Sequence, residues 1–165
     1  VPEGFPKDIL KTEVRLATEV LGIKNENLII MNYEVRKLNY SRQSILEDLV
    51  SIKRDVKPDT VFIPCMDDIH QDHSTVAHEA LRAFKSTTML SYELIWNNIS
   101  FNTHSFVVLD EEHIIRKARA LKQYASQGGR PYMSEEFVLA MATTRGVQIG
   151  VKYAEAFEVV RWIQK

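Results

Sequence analysis

The feature that most limits what this chain can fold into is a repeated change of period. Short unbroken apolar runs alternate with stretches in which apolar residues return every three or four positions. A short apolar run suits a strand buried on both faces, and the longer spacing suits an amphipathic helix. Thr60-Val61-Phe62-Ile63-Pro64 is the clearest run. Before it, Ile45, Leu49, Ile52 and Val56 mark a helix that Ser41 can cap and Lys57-Pro58 ends. After it, Val76, Ala77, Ala80, Leu81 and Phe84 mark another over 74–84. The same reading predicts helices over 8–21 (stopped by Gly22), 111–125 and 134–146, and strands over 27–31, 89–95, 106–109 and 154–163. Strands alternating with helices build βαβ units. The expected class is α/β, a Rossmann-like three-layer sandwich with a mainly parallel sheet and 61–64 as an interior strand.

No Gly/Ser-rich, Pro-rich or repeated segment interrupts this pattern, so residues 1–165 read as a single domain. Lys and Arg number 21 against 22 Asp and Glu, a formal charge of -1, so no net basic field recommends nucleic acid or an anionic membrane as partner. No apolar run approaches the roughly 20 residues of a transmembrane helix. The lone cysteine, Cys65, cannot close an internal disulfide, which accords with a reducing, cytoplasmic setting. The opening Val1-Pro2-Glu3-Gly4 has neither Met nor the regions of a signal peptide, and reads as a loop preceded by further chain.

The chemistry concentrates in one place. Asp67-Asp68-Ile69-His70-Gln71-Asp72-His73 puts five ionisable side chains in seven positions, between the 60–64 strand and the next helix. Open α/β sheets bind ligands at the carboxyl ends of their strands, which is where this stretch falls. Neutral imidazole suits Zn2+, and carboxylates suit either ligation or orientation of a ligating histidine. His70 and His73, three apart at a strand–helix corner, can face one crevice. The alternative is a polar helix cap, with Asp72 at the N-cap and both histidines in solvent. Trp96-Asn97-Asn98 can present an indole face and amides to a sugar, or simply close a loop. Arg130, in a Gly-rich turn, can meet a phosphate or carboxylate or belong to ordinary surface. No base is evident beside Cys65, which reads as packing.

Asp68-x-His70-x-Asp72-His73 behind Lys57-Pro58-Asp59-Thr60-Val61-Phe62-Ile63-Pro64 resembles the PIG-L/LmbE-like family of zinc-dependent N-acetylglucosaminyl deacetylases. The likeness extends to Glu13 in a helix ending Val20-Leu21-Gly22-Ile23, and to Ala120-Leu121 with Ser126-Gln127. It continues through Arg145-Gly146 and Tyr153-Ala154-Glu155-Ala156-Phe157. The resemblance implies that His73 is a zinc ligand and that His70, as imidazolium, stabilises the oxyanion and protonates the leaving amine. It implies that Asp72 accepts a hydrogen bond from the His70 ring and favours its charged form. Asp68 then binds a sugar hydroxyl or holds the loop through backbone amides. The implied substrate is an N-acetylated sugar conjugate, small or lipid-linked, with Zn2+ as cofactor; a homo-oligomeric state is left open.

The family's other signature, Ala-His-Pro-Asp-Asp at the end of its first strand, has no counterpart here. His78, His104 and His113 stand in other contexts. The expectation is a fold lacking its N-terminal strand and offering one convincing zinc ligand, where a catalytic site takes three. Metal-assisted deacetylation leads the functional readings. A His/Asp metal phosphohydrolase is disfavoured by the alternating βα plan, and a catalytically incomplete sugar-binding or assembly domain is the non-enzymatic alternative.

Overall fold

A computed structural model describes residues 4–6 and 8–164. In chain order the elements are α1 (Ile9–Val20), α2 (Arg42–Val56), β1 (Thr60–Pro64), α3 (Gln71–Ala83), β2 (Thr88–Tyr92), β3 (Ser105–Val108), α4 (Glu111–Leu121), α5 (Glu135–Gln148) and β4 (Ala154–Arg161). The strand order is β1-β2-β4-β3. β1 and β2 are parallel and joined through α3, whereas β4 runs antiparallel to β2, with Leu90 opposite Val159 and Tyr92 opposite Phe157.

The α/β class follows the alternation in the sequence, but the sheet is mixed rather than mainly parallel. A buried apolar run looks the same whichever way it runs, and the connection alone decides direction. β1 is also outermost in the strand order, not interior, and Phe62 on it is 54% exposed. Its apolar character comes from cover on one face, where Ile63 meets α3, rather than from a neighbour on each edge. Segment 27–31 forms no strand. Asn25–Asn27 is a 3-10 turn, Ile29 and Met31 are exposed, and four apolar residues without a partner ladder do not make a sheet. Residues 93–95 leave the sheet as a turn, and α4 ends at Leu121, four residues early.

The chain divides into two units, Val1–Met31 with Val107–Glu155, and Asn32–Phe106 with Ala156–Lys165. In the first, Gly22 (φ +81) ends α1: its N–H reaches Glu19 O and the Ile23 N–H reaches Thr18 O, the paired bonds of a Schellman stop. Glu13 of α1 is buried and accepts the Ser126 N–H (2.8 Å) and hydroxyl (2.6 Å). Two sequence blocks 113 residues apart thus close one buried contact. Ile114, Val138 and Ala142 pack with Leu109, Leu121 and Tyr153.

In the second unit Ile63, Ala77, Ala80, Ala83, Phe84 and Met89 form the core, with Leu46 and Leu49 of α2 against it. Alanine at every third position lets α3 lie close to β1 and β2. Beneath it, Glu79 is fully buried and held by Arg42 Nε and Arg82 Nη1, each at 2.6 Å. Burial pushes the Glu79 carboxyl up, but the bonds and charges of Arg42 and Arg82 outweigh it and hold the group below its usual value.

Candidate active site

All the chemistry-bearing residues of the 67–73 stretch lie in the second unit. β1 ends at Pro64, and the chain turns through 65–69 into α3; β2 ends at Tyr92 and turns through 93–98. The two turns are tied together. Ile69 N–H donates to Asn97 O (3.2 Å), and Asp68 pairs with Asn98 in an isolated antiparallel bridge. The two stretches that the sequence singles out therefore lie side by side, at the carboxyl ends of the parallel strands.

Asp68 is buried, and both its oxygens are engaged. Oδ1 accepts the His70 N–H at 2.7 Å, and Oδ2 lies 2.8 Å from His73 Nδ1. A carboxylate at that distance requires the proton on Nδ1, which in the neutral ring leaves the free electron pair on Nε2 of His73. Asn97 Nδ2 lies 3.3 Å from the same Nδ1, which cannot accept from it while its own proton is turned to Asp68. Carboxylate, histidine and free Nε2 form the arrangement that orients a metal-ligating imidazole. Asp68 holds both loop and ring, so a sugar hydroxyl is not needed to explain it.

His70 sits at the N-cap of α3, with its ring stacked on that of His73 at 4.4 Å between centroids and 17° between planes. Its Nδ1 accepts the Asp72 N–H at 3.2 Å, so the ring proton resides on Nε2 and points away from the cap. This corrects the expectation for Asp72 on two counts. It is not the N-cap, because α3 starts at Gln71, and its carboxylate does not receive the His70 ring. The buried Asp72 carboxylate instead takes the Arg36 N–H (2.6 Å) and the Leu38 N–H (3.3 Å), pinning a turn 34–36 residues upstream. The motif spacing carries no signal of that turn, and the sequence reading missed Arg36.

Trp96 is 67% exposed beside these groups, together with Ile69, Ile95 and Ile99. Asn98 Oδ1 caps the turn by accepting the Leu94 N–H (2.6 Å), while its buried Nδ2 has no partner among the described residues. Arg130 belongs to the other unit, where its guanidinium donates to the Tyr132 hydroxyl and lies 5.9 Å from that ring's centroid. Cys65 is buried. Its thiol is pushed up to about 11, first by burial and then, against a bond from the Asp67 backbone, by the charge of Glu158. Glu158 also accepts from Ser91 and Asn102, so the cysteine belongs to a packed polar cluster and not to a nucleophilic pair. His113 caps α4 by accepting the Asp110 N–H, and His78 bonds Ser74 one helical turn back. Among the described residues no three His, Cys, Asp or Glu side chains are grouped to hold a metal ion. A surface depression lined by Asp59, Thr60, Ser86, Thr88, Trp162 and Ile163 opens at the opposite, amino ends of β1 and β2, away from the histidines.

The chain is an α/β protein with a carboxylate-oriented histidine in the loops beyond its parallel strands, the candidate ligand site. Residues 7–84 match the family model described as PIG-L: GlcNAc-PI de-N-acetylase. Solved structures share its fold. A conserved protein of Thermus thermophilus superposes with TM-score 0.76 at 21% identity, over 98% of this chain and 77% of its own. The N,N'-diacetylchitobiose deacetylase of Pyrococcus horikoshii gives 0.70 at 21% identity, over 92% of this chain and 63% of its own, so this chain spans less than two thirds of that enzyme. The 4-carboxy-2-hydroxymuconate hydratase of Pseudomonas putida gives 0.69 at 19% identity, over 99% and 78%.

Proposed function

We propose that this chain carries part of the active site of a zinc-dependent hydrolase that removes the N-acetyl group from an amino-sugar conjugate, small or lipid-linked. The observation that carries the reading is Asp68–His73, a buried carboxylate fixing one histidine so that its Nε2 is free, with His70 stacked beside it. The family description names a de-N-acetylase, and a diacetylchitobiose deacetylase shares the fold, which supports the reaction class.

His73 Nε2 fits one position of a zinc site in donor chemistry and orientation. A catalytic zinc takes three protein ligands, so two donors beyond His73 complete the set. When bound, zinc supplies Lewis acidity toward the amide carbonyl. The chain's own residues do the rest of what can be derived. Asp68 keeps the His73 ring in one tautomer and one orientation. His70, its Nδ1 held by the Asp72 N–H, offers Nε2–H as a hydrogen-bond donor to an oxygen that gains charge as the amide carbon becomes tetrahedral. Protonation of Nδ1 would break the α3 cap, so an imidazolium at His70 requires that bond to open. Trp96 and Asn97 stand at the rim as sugar contacts. A cytoplasmic setting goes with this reading, and no described helix is long and apolar enough to cross a membrane.

A sugar-binding or assembly domain without catalysis is the second reading, favoured by the single oriented ligand. The test is zinc analysis together with acetate release from N-acetylglucosamine conjugates by the intact protein. Bound zinc with acetate release is expected; sugar binding without acetate release makes the second reading the correct one.

A further inference from the structure

Trp162 is 67% exposed just past the end of β4, where its indole forgoes the burial that tryptophan usually finds. Its neighbours hold it there. The Thr88 hydroxyl accepts the Ile163 N–H and donates to Ile163 O, both at 3.1 Å, and Arg161 Nη1 donates to Lys85 O. The residues before and after Trp162 are thus stapled to the start of β2 and to the turn that precedes it. The indole lines a depression of about 240 Å³ together with Asp59, Thr60 and Ser86. Among the described residues no hydrogen bond or ion pair engages the Asp59 carboxylate or the Thr60 and Ser86 hydroxyls, while the Asp59 backbone is fixed by the Thr88 N–H at 3.2 Å. All these residues belong to one unit, at the amino ends of β1 and β2. The five residues of β1 put about 16 Å between this depression and the histidine loop.

We propose that the Trp162 depression is a second, non-catalytic sugar-binding site that takes one neutral pyranose ring with equatorial hydroxyls. Such a ring has an apolar C–H face to lie on the indole, and its hydroxyls ring the edge. The Asp59 carboxylate, an acceptor only, takes those hydroxyls, and Thr60 and Ser86 can both donate and accept. A few convergent polar groups around an aromatic face fix a ligand's orientation as well as its affinity. The volume lies below the roughly 300–1,000 Å³ of a drug-sized pocket, which suits a single ring rather than a chain. The unpaired charge of Asp59 disfavours phosphate and carboxylate ligands. No residue of the site belongs to the histidine loop, so the proposal stands apart from the deacetylase reading.

The test is an NMR titration of the intact protein with N-acetylglucosamine and with methyl β-glucoside. It is read at the indole N–H resonances of Trp96 and Trp162, which Trp162→Ala assigns. The Trp162 resonance should shift and saturate with either sugar. Sorbitol, which has the hydroxyls without the ring face, should leave it in place. Asp59→Asn removes a carboxylate that carries no structural bond. It should weaken the affinity read at Trp162 by about 10-fold, the effect of one charged hydrogen bond. Trp162→Ala should abolish the response of the Thr60 and Ser86 backbone N–H signals and leave acetate release from N-acetylglucosamine unchanged. If the wild type releases no acetate, the deacetylase reading fails and the titration still decides this site. A sugar response confined to Trp96 overturns the proposal. So does a Trp162 response to glucosamine but to neither neutral sugar, or one that follows protein concentration instead of sugar.

Discussion

Two histidines three positions apart have different jobs because their Nδ1 atoms face different partners. His73 Nδ1 donates to Asp68 and leaves a lone pair outward; His70 Nδ1 accepts from Asp72 N–H and leaves an N–H outward. On the proposed reading the first binds the cation and the second donates. His73→Ala should therefore lose bound zinc. Asp68→Asn keeps the size but not the charge that fixes the ring, and should weaken zinc affinity or activity by about 10–100-fold. His70→Ala should keep zinc and lower turnover by about 10²–10³, the usual effect of one oxyanion donor. Metal analysis beside acetate release separates the three, and zinc lost from His70→Ala but kept in His73→Ala would reverse the assignment. At Cys65, burial and Glu158 hold the thiol protonated, with a value near 11. In the native protein it should resist iodoacetamide at pH 8 and react once urea unfolds the chain; rapid native alkylation would show the cluster to be open.

At the scale of elements, the motif blocks turn out to be places where backbone or buried carboxylate leaves no freedom. Gly146 lies inside α5, where a Cβ would stand 2.6 Å from Val151 O and 2.7 Å from Lys152 O. Gly146→Ala should destabilise by about 1–3 kcal/mol through overpacking. That outweighs the gain of roughly 1 kcal/mol in helix propensity, and a rise in Tm would contradict the close approach. The sequence reading takes Gly146 as a helix stop because an isolated glycine near a helix end looks the same whether it caps or is crowded. Ser126 gives both its N–H and its hydroxyl to Glu13. Ser126→Ala removes one of these donors from a buried carboxylate and should lower stability by about 1–3 kcal/mol in urea denaturation.

The whole molecule should unfold in acid partly through Glu79. Its carboxyl lies below the usual 4.5 when folded, so the stability it contributes is fully present above that value. It fades as pH falls through the lower, folded value. Glu79→Gln leaves Arg42 and Arg82, each about half exposed, without their carboxylate, and should lower stability at pH 7 by about 1–3 kcal/mol. Urea midpoints at pH 7, 5 and 3 give the check. The gap between wild type and variant should shrink below pH 4.5, and a constant gap would remove Glu79 from the acid transition.

Sequence alone determined the α/β class, the helices with clear period and caps, and the strand ending at the 67–73 loop, because periodicity and capping are local properties of the chain. It also located His70 and His73, since ionisable residues crowded at a strand–helix corner need a reason to be there. Only the tertiary structure decided that β4 runs antiparallel, that β1 lies outermost among the described strands and that 27–31 pairs with none of them. Strand direction and neighbours depend on segments far apart, and an apolar run does not record them. Only the fold, likewise, brought Glu13 to Ser126 and Asp72 to Arg36. A carboxylate's identity is written in the sequence, but the N–H groups it accepts are chosen by where the chain returns.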